Sequence, residues 1–291
     1  MGIGYGAFLL MTFVLQLQVG TIAAVLSWFG VEIAFGDWYM LGSSLATYVL
    51  GGVVTYFIVK DMPVSSRPIV KNAGAGMLAA AFLICMSALF FGNLMGQALM
   101  SMVSALQGKP MFNPIEEIMK GLSSWVIFVT MVVMAPVCEE ILYRKILIDR
   151  IRLYGDKAAI LVSGFIFALS HGNFYQFFYA FGIGLVLGYV YIQTGRLRYT
   201  IWFHMIINFL GSIAAIHVAE FPWLFAAYSI FMLGAVIAGT IIFLISRKKL
   251  QFDTGREEIW GKGAFRILFL NFGMILFFLA SAVTFVITEI S

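Results

Sequence analysis

Three short segments of this chain hold the residues that could do chemistry. Glu139-Glu140-Ile141-Leu142-Tyr143-Arg144 places two carboxylates and a guanidinium directly after Trp125 to Cys138, an apolar run without a charge. Phe167-Ala168-Leu169-Ser170-His171 closes a second apolar run, and His204-Met205-Ile206-Ile207-Asn208 lies inside a third. Carboxylates and imidazoles accept and pass protons, and a side-chain amide donates hydrogen bonds. Arg144 follows Glu140 by four residues, so an ion pair along one helical face can neutralise Glu140 and leave Glu139 pointing about 100° away. His204 and Asn208 have the same spacing and project from one face, one turn apart. A charge at mid-bilayer costs roughly 2.5 to 3.5 kcal/mol on insertion scales, so ionisable groups there tend to line a buried polar site.

The surroundings are those of a membrane. Of the 291 residues 62% are hydrophobic and 11% charged, and the mean hydropathy is +0.98, whereas soluble domains carry about 25% charged residues. The expectation is an all-α, polytopic transmembrane helix bundle, a single integral membrane domain over 1–291. The net charge of +4 speaks to topology and anionic lipid, not to nucleic acid.

Apolar runs near the roughly 20 residues that span hydrocarbon give nine candidate spans, approximately Tyr5 to Trp28, Trp38 to Val59, Gly74 to Leu106, Leu122 to Tyr143, Ala158 to His171, Phe177 to Thr194, Tyr199 to Val218, Leu224 to Ser246 and Phe265 to Ile287. The fifth is short. The first lacks a basic leader and a small-residue cleavage site and reads as a retained span. Alternate connections hold 16 of the 18 Lys and Arg residues, Arg144 among them; the others hold only Lys109 and Lys120. Basic connections face the cytoplasm, so nine spans put the N-terminus inside and the C-terminus outside, in the plasma membrane.

The Glu-Glu dipeptide alone means little, because the chain contains two others. Asn113 and Pro114 before Glu116-Glu117 read as a helix cap, a proline in the first turn and acids favourable to the helix dipole. Glu257-Glu258 reads as a solvated linker. Only Glu139-Glu140 follows a long uncharged run, and Pro136 removes an amide donor beside it. Cys85 and Cys138 read as small buried hydrophobes, His217 as an interhelical hydrogen-bonding residue, and Asn93 as a bridge between helices. Ala180, Gly184 and Gly188 favour close helix packing. Lys248, Lys249, Arg256 and Trp260 suggest a segment lying on anionic headgroups.

Glu-Glu-x-x-x-Arg, Phe-x-x-x-His and His-x-x-x-Asn, in this order on separate helices, resemble the CPBP family of intramembrane proteases, which groups CAAX-processing endopeptidases with bacteriocin-processing and immunity proteins. The resemblance runs from about Val133 to Ser212; residues 122–218 are read as a catalytic core, with 1–121 and 219–291 as flanking helices. It implies an intramembrane endopeptidase of about eight to nine spans around a conical or cleft-like cavity. Glu139 would be general base, His171 would hold and polarise the water, His204 with Asn208 would stabilise the oxyanion, and Arg144 would keep Glu140 ionised. Glu139, His171 and His204 as a zinc site with Glu140 as base is the alternative. The implied partners are membrane lipids and a membrane-associated peptide or protein substrate. A non-catalytic membrane regulatory or immunity protein of the same fold and a proton-coupled transporter are the competing classes.

Depth poses a difficulty. His204 lies about six residues from Arg198 and Glu139 about five from Arg144, but His171 lies about 14 from Lys157. The expectation is a cavity nearer the cytoplasmic face with the Gly172-Asn173 hairpin turning beneath it, which backbone tolerates only where protein or water surrounds it.

Overall fold

The computed structural model describes residues 1–30, 36–65, 73–110, 113–255 and 263–290. It is 85% helical and, among the described residues, has no strand. The helices are α1 (Gly2–Trp28), α2 (Asp37–Val59), α3 (Ala75–Gln107), α4 (Pro114–Lys120), α5 (Ser124–Tyr154), α6 (Asp156–Leu169), α7 (Phe174–Thr194), α8 (Leu197–Val218), α9 (Pro222–Lys249), α10 (Ala264–Phe269) and α11 (Phe272–Ile290). Among the described residues six of these, α2, α3, α5, α7, α8 and α9, are long and apolar enough to cross a membrane. The protein is an integral membrane protein built as a polytopic helix bundle.

The short fifth run is α6, whose 14 residues reach roughly 21 Å at 1.5 Å per residue, less than the roughly 30 Å of hydrocarbon. The last candidate span is not continuous. Asn271 breaks it: its Oδ1 accepts from the Met274 amide at 3.0 Å and its Nδ2 donates to the Ile267 carbonyl at 3.0 Å, so one side chain ends α10 and caps α11.

Small residues set the close crossings, as the Ala180, Gly184 and Gly188 series suggests. A Cβ on Gly184 would lie 2.9 Å from the Gly164 Cα, locking α7 to α6. On the other side of α7, Gly92 and Gly96 let α3 meet the backbone of Tyr179 and Phe174. Gly239 does the same for α9 against Leu83 of α3. At the periphery, Gly2 packs on Gly273 and Gly6 on Phe277, so α1 and α11 run parallel. Asn93 makes no bridge: it sits exposed on α3 and accepts from Gln97 one turn on, at 3.3 Å.

One end of the bundle is basic. Arg152 pairs with Asp156 at 2.7 Å, Asp156 accepts from the Asp253 amide at 2.9 Å, and Lys145 pairs with Asp149 at 2.8 Å. Met1 lies at this end too, its ammonium 3.7 Å from the Met62 sulfur. Arg67, Lys71, Arg256, Glu257, Glu258, Trp260 and Lys262 lie outside the described residues. Arg144 does not mark the interface, since its side chain is 0% exposed within α5. Along the helices Glu139 lies six residues before Lys145 and 13 before Arg152, His204 six after Arg198 and His171 14 after Lys157, so the unequal depths remain.

At the other end, Asn113 caps α4 by accepting from the Ile115 amide at 3.2 Å, with Pro114 in the first turn. Glu117 pairs with Lys120 at 2.7 Å and holds its ammonium above the ordinary lysine range. Glu116-Glu117 is thus a solvated capping pair, unlike Glu139-Glu140.

Candidate active site

The site is organised by irregularity in α5. Phe128–Met134 and Ile141–Ile148 are wound as wide π-helical turns and flank the α-helical Ala135–Glu140 that carries both carboxylates. Such turns shift the i to i+4 bonding and free carbonyls, which must find other donors. Three do so on neighbouring helices. The Met131 carbonyl accepts from Asn208 Nδ2 at 2.8 Å, the Leu142 carbonyl from the Tyr5 hydroxyl at 2.6 Å, and the Tyr143 carbonyl from Ser163 Oγ at 2.8 Å. Met131 lies five residues before Pro136, so the amide that a wide turn would direct at its carbonyl is the one proline lacks. Asn208 supplies the donor.

Glu140 is the fully buried carboxylate. Its Oε2 lies 3.0 Å from Arg144 Nε, with both side chains 0% exposed, and its Oε1 lies 3.1 Å from His204 Nδ1. The Arg144 guanidinium also donates to Ser163 Oγ at 3.2 Å and sits 4.8 Å over the Phe167 ring. The i, i+4 pair expected from spacing is present, with partners on α6 and α8 that spacing does not reveal.

Glu139 has a different environment. Its side chain keeps 16% exposure and lies 3.7 Å from His204 Nε2, while the Tyr48 hydroxyl of α2 donates to its Oε1 at 2.7 Å. His204 therefore stands between the two carboxylates, and in its imidazolium form it presents an N–H to each.

His171 follows α6 in a tight turn. A carbonyl only accepts, so the 2.8 Å contact of Nδ1 with the Phe167 carbonyl puts the proton on Nδ1 and leaves Nε2 as acceptor in the neutral ring. Gly172, at φ +67°, makes the left-handed step that a side chain resists. Asn173 then caps α7 by accepting from the Gln176 amide at 2.9 Å and donates back to the His171 carbonyl at 2.9 Å. The Phe167 ring makes edge contacts with both imidazoles, 4.8 Å to His171 and 5.6 Å to His204.

Glu139, Glu140, Arg144, His171, His204 and Asn208 are thus neighbours on α5, α8 and the α6–α7 turn. Asn208 spends one amide N–H on Met131. On α8 the polar series Thr200, His204, Asn208 and Ser212 recurs every fourth residue on one face, and Thr200 lies beside Glu140. That period was available to extend His204 and Asn208 in both directions. Tyr48 carried no comparable signal, since nothing in an apolar span distant in sequence points to Glu139.

Among the described residues no three of His, Cys, Asp and Glu are arranged to hold a metal ion. His204 Nε2 faces Glu139 at 3.7 Å, and His171 turns Nδ1 to the Phe167 carbonyl, which leaves its Nε2 clear of that contact. Cys85 is buried and Cys138 partly so, both as free thiols. His217 lies at the far end of α8, 3.3 Å from Ser124 Oγ and 3.3 Å from Glu220, and joins helix ends.

A cavity of about 930 Å³ opens on the opposite face of α6, lined by Phe165, Phe177, Phe269, Phe278 and Phe285 among others. The expected cleft around the carboxylates is not this one: α6 turns Phe165 and Leu169 toward the cavity and Phe167 and His171 toward Glu139.

Two carboxylates, two imidazoles and an amide thus gather on α5, α8 and the α6–α7 turn of a membrane bundle. The family model described as type II CAAX prenyl endopeptidase Rce1-like matches residues 121–210. The match contains all three motifs and supports an intramembrane endopeptidase in general. No curated protein and no solved structure matches the chain.

Proposed function

We propose that the protein hydrolyses a peptide bond in a membrane-associated peptide or protein, with Glu139 as the general base that activates water. The observation that carries this reading is the division between the two carboxylates. Glu140 is tied to Arg144 and His204 with no exposure, whereas Glu139 retains 16% exposure and no arginine or lysine partner. A carboxylate of that kind can reach a water molecule and take its proton.

His171, with Nε2 as acceptor, holds the same water from the α6–α7 turn. His204 is oriented by Glu140 and donates to the oxyanion formed as water attacks the carbonyl, together with the second amide N–H of Asn208. Such donors are worth most where bulk water is excluded. Arg144 keeps Glu140 ionised and thereby keeps His204 in register. No step is assigned to a metal. The basic end faces the cytoplasm in the plasma membrane, in line with the positive-inside bias.

The matching family is named for prenylated CAAX tails, which makes a peptide ending in a prenylated cysteine followed by three residues the first substrate to test; leader peptides and bacteriocins are the alternatives. The experiment is a mass-spectrometric comparison of membrane peptides from cells carrying wild-type protein or Glu139→Ala at equal abundance. Cleavage products that vanish in the variant support the proposal. Identical peptide sets would return the chain to a non-catalytic membrane role.

A further inference from the structure

The general base has a partner outside the segment that carries the motifs. Tyr48 lies on α2, in the π-helical stretch Thr47–Gly51, and its hydroxyl donates to Glu139 Oε1 at 2.7 Å. This contact is one of three ties that hold α2 parallel to α5. At the first, Asp37 accepts from the Ser123 amide and hydroxyl at 2.9 and 2.6 Å, with Trp38 against Trp125 at 6.0 Å. At the last, Arg150 Nε donates to the Val59 carbonyl at 2.9 Å. Ties at both ends fix the depth of Tyr48, and the wide turn sets the direction of its ring. Phe8 of α1 closes the arrangement: its ring lies 6.5 Å from Tyr48 and would lie 2.7 Å from a Cβ on Gly51.

Resting on the proposed hydrolysis, we infer that Tyr48 is the positioning residue of the general base. Its hydroxyl holds Oε1, and Oε2 is thereby turned to the side of His204 and His171, where the water is activated. Without that tie the carboxylate, 3.7 Å from the His204 ring, is free to rotate about its last torsion. A hydrogen bond to a charged group restrains that rotation more strongly than a neutral one does. Tyr48 touches no reacting atom and acts only through Glu139. The catalytic constellation therefore extends to the N-terminal helices, and α2 is part of the enzyme's working parts.

The test is Tyr48→Phe, which removes one oxygen and keeps the ring, with Tyr56→Phe, exposed on the same helix, as control. Two measurements are made on purified protein in proteoliposomes. The first is the infrared carboxylate band of Glu139, identified as the band lost in Glu139→Gln. The second is cleavage of a farnesylated fluorogenic peptide. The band is expected to shift in Tyr48→Phe but not in Tyr56→Phe. Turnover is expected to fall about tenfold or more with KM within about twofold, as loss of a hydrogen bond to a charged group that acts on the chemical step requires. An unmoved band overturns the inference, and so does an unchanged kcat when the wild type cleaves the peptide in a Glu139-dependent way. A moved band with no Glu139-dependent cleavage by the wild type counts against the prenyl-peptidase reading and leaves the positioning contact standing.

Discussion

Arg144 shows what a single charge does in this bundle. Its guanidinium is buried beside Glu140, Ser163 and the Phe167 ring, and a buried charge is stable only while its partners remain. Arg144→Met is therefore expected to cost about 3 to 5 kcal/mol, because it leaves the buried Glu140 without its guanidinium partner. Glu140→Leu together with Arg144→Met should recover most of that loss while abolishing turnover, since His204 loses its orienting carboxylate. Thermal unfolding in detergent checks both. The ion pair was legible in the sequence because i, i+4 spacing dictates it. Its neighbours Ser163, Phe167 and Thr200 were not, because they meet it only through the crossing of separate helices. Residue types also permit a zinc site through Glu139, His171 and His204; metal analysis of purified protein with activity in a strong chelator decides it, and full activity without stoichiometric zinc rules it out.

At the scale of elements, α5 departs from a regular helix on both sides of the Glu139-Glu140 pair. Pro136 was a visible warning, but the two wide turns around Ala135–Glu140 follow from tertiary donors that no local pattern encodes. Asn208 is one of them, and its bond to the Met131 carbonyl gives it a structural task beside the proposed catalytic one. Asn208→Leu should destabilise the fold by about 1 to 3 kcal/mol, the cost of an orphaned buried carbonyl. In a Pro136→Ala background the same change should cost markedly less, because residue 136 then carries an amide of its own. A double-mutant cycle on unfolding free energies measures this coupling, and additive costs would refute the account. The α6–α7 hairpin was foreseen from the distance between His171 and Lys157, with Gly172-Asn173 as its turn. The break at Asn271 was not, since hydropathy runs unbroken across it.

Among the described residues Lys145, Arg152 and Lys157 lie at one end of the bundle and Lys120 at the other, and His171 lies 14 residues along α6 from Lys157. The N-terminus lies at that basic end, and the parallel packing of α1 and α11 carries the C-terminal helix away from it. Counting Lys and Arg in connections predicts the cytoplasmic side from this end; Arg144, counted among them, is internal. With both native cysteines replaced by alanine, Glu220→Cys should react with a membrane-impermeant thiol reagent on intact cells, and Lys248→Cys only after permeabilisation. The reverse labelling would invert the topology without altering the site.

Hydrolysis with Glu139 as base joins these scales, and one measurement addresses it most directly: kcat of Glu139→Gln against wild type, in proteoliposomes, on a peptide the wild type cleaves. General-base catalysis contributes about 10² to 10⁴ in rate. The account predicts a loss of that size with unchanged unfolding temperature and substrate binding. Turnover within a few fold of wild type would contradict it.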